Sequence, residues 1–368
     1  MSYQDPSINQ VNFIAIAMDR YNYVCLEWTV VQSMHEARMS HTTSLLPDGR
    51  LLVVGGGSDY LMNRTELYDP STNEWKMGAA INFGRYLHTA STLKDGKILI
   101  TGGFDFNRRA LNRSEIYDPK TGNWAITGSL NHARSAHKAT VLSDGNVLVT
   151  GGAHDVHDSV IKTAEIYDSS TGHWTITSDM HDARSDHVAA LLKDGRVLVA
   201  GGSINLSDSI NKTELYDPRT GNWTRAADMH YQRSQHTGTL LLNGKVLVVG
   251  GGVFSWKTAE IYDPVIGNWT KTVNLQFDRV FHQASLLNDG KVLITAGDFT
   301  TLRNSAELYD PLKETWTLTD YLYHGRFSHR ASVLMNGQVL ITGGVNITNS
   351  PFNSVELYDP STELFHNL

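Results

Sequence analysis

The sequence predicts an all-β fold, a seven-bladed β-propeller with four antiparallel strands per blade, and three observations predict it. One unit recurs seven times, in register, along the 368 residues. Each copy holds four short β-rich runs. Turn dipeptides separate those runs at the same places in every copy. The repeat also settles the domain count. Length alone, at about 150 residues per domain, suggests two or three domains. Seven units of 48 leave only about 32 residues over, so the chain reads as one domain. Residues 1–25 are assigned to an N-terminal arm and 26–368 to the propeller.

Each copy opens on Arg-x-x-His. The arginines are Arg38, Arg85, Arg134, Arg184, Arg233, Arg279 and Arg326, and the histidines are His41, His88, His137, His187, His236, His282 and His329. The first β run follows the histidine and is Val188–Leu192 in the fourth copy. A tight turn comes next: Asp48-Gly49, Asp95-Gly96, Asp144-Gly145, Asp194-Gly195, Asn243-Gly244, Asp289-Gly290 or Asn336-Gly337. Asp-Gly and Asn-Gly supply the positive φ that a two-residue hairpin needs. The second run, Val197–Ala200 in the same copy, is apolar at consecutive positions, as a strand covered on both faces is. It ends on a Gly pair, suited to packing near an axis where a side chain would collide. The third run carries Tyr68, Tyr117, Tyr167, Tyr216, Tyr262, Tyr309 or Tyr358. A second turn, Asp-Pro-x-Thr-Gly-Asn in its fullest form, leads to the fourth. There an aromatic stands seven residues after each Tyr: Trp75, Trp124, Trp174, Trp223, Trp269, Trp316 and, in the last copy, Phe365.

The ends of the chain decide how a ring would close. Tyr21 and Trp28 share the seven-residue spacing, so Trp28–Val31 reads as a fourth strand with no first three before it. The favoured closure gives this N-terminal strand to the seventh blade. The competing closure puts Leu364–His366 in that slot.

These residues resemble the kelch repeat, whose marks are a Gly-Gly pair, a Tyr and a Trp at fixed offsets in a period near 50. The resemblance covers about residues 28–368 and implies a kelch-type propeller. It says less about function, because one fold hosts many. What it implies is a binding module that recognises a protein segment or small ligand. It also implies that arginines near the start of the inner strand can engage acidic peptides.

Strand order places both tight turns on one face of the disc and the longer, variable links on the other. Variable loops on a rigid scaffold are where binding residues usually sit. The seven Arg and seven His above enter from that face and are expected to ring the mouth of the central channel or lie just beneath it. Two readings stand. In the first the ring is scaffold, bonding loop carbonyls and neighbouring blades. In the second it is a cationic, imidazole-lined cup for an anion or a divalent metal, with the seven His as ligands. Where the copies disagree, Tyr86, Phe281 and Phe327 form an aromatic side, while Asp186, Gln235 and Asp298 add polar groups. That is the composition of a ligand or peptide pocket. The loop His154-Asp-Val-His157-Asp158 is a second metal candidate, and the concentration of His on one face suggests binding that changes near pH 6–6.5.

The enzyme alternative is an oxidase, lyase or isomerase built on that His/Arg cup. Copper radical oxidases share the propeller type but carry a Tyr before the ligating His. Here Ser40, Leu87, Ala136, Asp186, Gln235, Phe281 and Ser328 precede the seven histidines. The lone Cys25 lies outside any position matching the family's cross-linked cysteine. No resident cofactor is therefore expected. The net charge of −7 argues against nucleic acid as a partner. The longest early apolar run, Val11–Met18, is too short for a membrane span and lacks the basic flank of a signal peptide. A cytoplasmic monomer is the expectation, with a protein, peptide or small ligand as partner.

Overall fold

The computed structural model describes residues 27–57, 62–154, 160–205, 208–252, 256–297 and 304–365. These form seven antiparallel sheets of four strands each. Blade one consists of Thr42–Leu45, Leu51–Val54, Thr65–Asp69 and Glu74–Met77, laid side by side in chain order. Blades two to six repeat this plan. The first strands of successive blades adjoin one another all the way round, with Arg330–Val333 meeting Thr42–Leu45. They therefore surround the axis, and each fourth strand lies at the rim.

Burial follows that radial order. The second strands are buried at every position; they read Leu51-Leu-Val-Val54 and Val197-Leu-Val-Ala200, for example. The fourth strands show three of four residues to solvent in blades one, three, four and five. The core is a set of clusters, each shared by two neighbouring blades. Leu198 and Ala200 of blade four meet Val246, Val248, Tyr262 and Trp269 of blade five. Burying one such leucine contributes about 1.5–3 kcal/mol.

The N-terminal strand closes the ring. Trp28–Val31 pairs with Val355–Tyr358, and Trp28 stands opposite Tyr358. Trp75 stands opposite Tyr68 in the same register. The Trp28 and Tyr358 rings lie 5.1 Å apart, within the 4.9–5.1 Å span of the other six Tyr–Trp pairs. Pro360–Phe365 is a 3₁₀ helix, not the outer strand. The aromatic partner of Tyr358 is thus Trp28, and the side chain of Phe365 lies outside the described residues. Tyr21 and Cys25 lie outside the described residues.

The Gly pairs have the predicted cause. Gly151 has φ +57°, and a Cβ there would lie 2.2 Å from the Arg184 carbonyl oxygen of the next blade. Blade six accepts Ala296 at this place, with φ 51°.

Candidate functional site on the loop face and in the channel

The structure separates what the sequence grouped as one ring. All seven arginines, Arg38, Arg85, Arg134, Arg184, Arg233, Arg279 and Arg326, are buried, none more than 2% exposed. Each Nη2 donates to a glutamate at 2.5–3.0 Å: Glu66, Glu115, Glu165, Glu214, Glu260, Glu307 and Glu356 in blade order. Each Nη1 donates at 2.7–2.9 Å to the carbonyl of the residue that begins the Gly pair, Ala296 in blade six. The glutamate oxygens in turn accept two backbone N–H groups from the link entering the blade. Glu214, for example, takes those of His181 and Asp182 at 2.7 and 3.1 Å. These arginines therefore clamp the two loops of a blade together and present no guanidinium at the mouth. The expectation that they receive an acidic peptide is corrected by their burial. Their partner was visible in the sequence: a Glu stands two residues before every repeat Tyr, a charge at a buried strand position in all seven copies.

The histidines are likewise internal, none more than 5% exposed. Six of them reach back to the preceding blade, where Nε2 meets a threonine hydroxyl at 2.8–2.9 Å. The threonine comes from either of two facing positions. Thr42, Thr89 and Thr237 begin a first strand, while Thr150, Thr295 and Thr342 end a second strand. In blade four Val188 and Ala200 occupy both positions, and no hydroxyl faces His236. The Nδ1 atom of all seven is buried without a partner. An unpaired acceptor costs less than an unpaired N–H, so the proton belongs on Nε2, which donates to threonine where one is present. Burial pushes every ring histidine far below the usual imidazole range, His282 to about 3. Each histidine points into its own blade junction, and among the described residues no three His, Cys, Asp or Glu side chains gather to hold a metal ion. The divalent-metal reading of His41, His88, His137, His187, His236, His282 and His329 therefore finds no converging ligand set.

What does encircle the mouth is backbone. The residue before each histidine has left-handed φ of 49–56°. Its N–H donates to the carbonyl of the equivalent residue one blade back, at 3.0–3.3 Å. The chain of bonds runs Ser40, Leu87, Ala136, Asp186, Gln235, Phe281, Ser328 and returns to Ser40. Asp186, Gln235 and Phe281 are thus members of one closed hydrogen-bonded ring. The predicted aromatic side divides in two: Tyr86 stacks on Phe104 at 5.6 Å in blade two, and Phe281 lies 6.3 Å from Phe327 across blades six and seven. Asp298, His157 and Asp158 lie outside the described residues. His154 is exposed, with Nδ1 3.1 Å from the Ala133 carbonyl.

A concave site absent from the sequence reading lies on the same face between blades one and two. It encloses about 430 Å³ and is lined by Met62, Phe83, Phe106 and Leu111 with Asn63, Asn82, Asp105 and Asn107. Phe106 sits on a hairpin tip that is already braced. Asp105 N–H donates to the Arg109 carbonyl at 3.0 Å, and Asp105 Oδ1 accepts Arg109 N–H at 2.8 Å. Arg64, Arg108, Arg109 and Arg113 stand exposed nearby, and Arg113 lies over the Phe83 ring at 5.4 Å.

Comparison with known proteins agrees with this architecture. The profile of the KLHDC2/KLHL20/DRC7 Kelch-repeats domain matches residues 16–202 and 88–297, and that of the Kelch motif matches 326–368. No curated protein matches the chain. Among solved structures it is similar to a novel fungal alcohol oxidase of the AA5 family in complex with copper. The TM-score is 0.72 at 19% identity, covering 90% of this chain and 76% of that one. It is also similar to the structure of YjhT, with TM-score 0.63 at 15% identity, covering 79% of this chain and 99% of that one. At these identities the two structures speak for the fold alone. With seven in-register repeats, seven blades and profile matches over most of its length, the chain belongs to the kelch-repeat family of β-propellers.

Proposed function

We propose that this propeller is a protein-binding module that holds an acidic partner segment with an apolar anchor in the groove between blades one and two. The observation that carries the reading is the braced Phe106 hairpin beside a groove whose flanking loops carry four exposed arginines, Arg113 over the Phe83 ring among them. None of the four forms an ion pair with a described carboxylate, whereas the repeat arginines are all paired internally. A preformed loop also loses little entropy on binding. Membership of a family whose domains generally mediate protein interactions supports the same reading. The enzyme alternative gains nothing from the geometry of the Arg and His rings, which are bound into the scaffold.

A random-peptide selection on the intact protein tests this. Selected peptides should combine Asp or Glu with an aromatic or aliphatic anchor. Phe106→Ala, and Arg108→Glu with Arg109→Glu, should each weaken them at least tenfold at unchanged melting temperature. Peptides without acidic residues, or binding indifferent to both variants, would overturn the proposal.

A further inference from the structure

The swap of threonines around the axis leaves three first-strand positions free of the task of bonding a histidine: Lys138, Gln283 and Arg330, which face Thr150, Thr295 and Thr342. The seven innermost strands are otherwise made of small, hydroxyl and aliphatic residues, and Lys138 and Arg330 are their sole charged members. The two come from blades three and seven, on opposite sides of a ring of seven. Arg330 is held in place: Nε donates to the His41 carbonyl at 2.7 Å, and Nη1 lies 3.5 Å from Gln283 Oε1. Gln283 is itself anchored through Nε2 to the His282 carbonyl at 3.0 Å. Neither Arg330 Nη2 nor Lys138 Nζ has a hydrogen-bond partner, and neither atom is fully buried on these innermost strands.

Charge in the lumen is unbalanced. The Arg330 cation acts on His41, His88 and His329. The Lys138 cation acts on His137, His187 and His236. Between them they act on six of the seven ring histidines, His282 excepted, and they repel each other. Asp186 is the carboxylate whose charge acts on Lys138, yet the two form no ion pair. Partial desolvation by the surrounding strands raises the Asp186 carboxyl and lowers both cations. An anion placed between the cations would satisfy the spare ammonium and guanidinium donors together, and these suit the oxygens of a tetrahedral oxyanion.

We propose that the central channel binds one small inorganic oxyanion, of the phosphate or sulfate class, between Lys138 and Arg330. The probe is inorganic phosphate, titrated calorimetrically into the intact protein at constant ionic strength set with chloride. One phosphate should bind per chain and raise the melting temperature above that in chloride. Lys138→Met and Arg330→Met should each weaken phosphate binding at least tenfold, and Asp186→Asn should tighten it several-fold by removing the opposing carboxylate. A phosphoserine peptide should not displace the phosphate; displacement would overturn the free-anion form of the proposal. If Arg330→Met does not fold, Lys138→Met and Asp186→Asn decide the matter. Equal phosphate affinity in wild type and Lys138→Met, or no difference between phosphate and chloride, would overturn it. Because the groove of blades one and two contributes nothing here, failure of this test leaves the peptide-binding reading standing, and the reverse.

Discussion

Arg184 illustrates how a residue can look like a ligand contact and be a clamp. It donates to Glu214 at 2.7 Å and to the Gly201 and Lys212 carbonyls at 2.7 and 2.8 Å. Burial lowers the guanidinium pKa, and the Glu214 charge and hydrogen bond pull it back up. Removing one member of such a pair strands the other charge in the interior. Arg184→Ala is expected to destabilise the fold by about 3–5 kcal/mol, read as a shift of the urea unfolding midpoint. A loss under about 1 kcal/mol would mean that the pair is not held as described. The same substitution made to probe partner binding would report on folding instead. Sequence spacing brought Arg, His, Tyr and Trp to light because each recurs. It did not show which of them face water, since a buried clamp and a surface contact recur equally well.

At the scale of the element, the N-terminal strand is the informative case. Trp28 is 1% exposed, packs against Tyr358 and lies in one cluster with Leu308 of blade six and Ile341 of blade seven. Glu27 also accepts the Asp320 N–H at 2.9 Å across the junction of blades six and seven. Deleting residues 1–32 exposes the edge of Val355–Tyr358 and removes a core aromatic, a change worth about 3–5 kcal/mol from the tryptophan alone. The melting temperature should fall sharply; an unchanged value would contradict closure by this strand. The strand was legible because the Tyr–Trp spacing repeats at the N-terminal end. The groove of blades one and two was not legible, because Met62 and Phe106 sit in links that follow no repeat and meet Phe83 only when two blades pack.

The whole molecule carries seven neutral imidazoles in its interior, and this fixes the sign of its response to acid. Unfolded histidine takes up a proton near pH 6.5, whereas the folded groups are held far below that value by burial first and by neighbouring cations second. The unfolded chain therefore binds more protons as pH falls. Stability is complete above about pH 6.5 and is lost below it, by up to about 1.4 kcal/mol per pH unit for each histidine. Glu165 and Glu356 add to this lower down. Burial pushes both carboxyls up, but hydrogen bonds and Arg134 or Arg326 bring them below the ordinary carboxylate range. Their contribution is held above about pH 4.3 and is lost as pH falls through the folded value. Urea midpoints measured from pH 8 to pH 5 should drop steeply below pH 6.5. A flat profile would refute the neutral, buried state of the ring. The seven ring histidines thus bear on folding through their burial.

The sequence by itself determined the blade, the number of blades and the turn chemistry, and it favoured one of two terminal strands for closing the ring, a choice the pairing of Trp28–Val31 with Val355–Tyr358 decided. These depend on local spacing and on patterns copied seven times. Only the tertiary structure decided which charges are internal, because each Arg meets its Glu some 27–31 residues away, in a geometry that recurrence alone does not reveal. It alone showed that threonine serves the histidines from either of two facing strands, which relieves Lys138 and Arg330 of that task. Adjacency across strands and across blades is a property of the closed ring, and it exists in no single copy of the repeat.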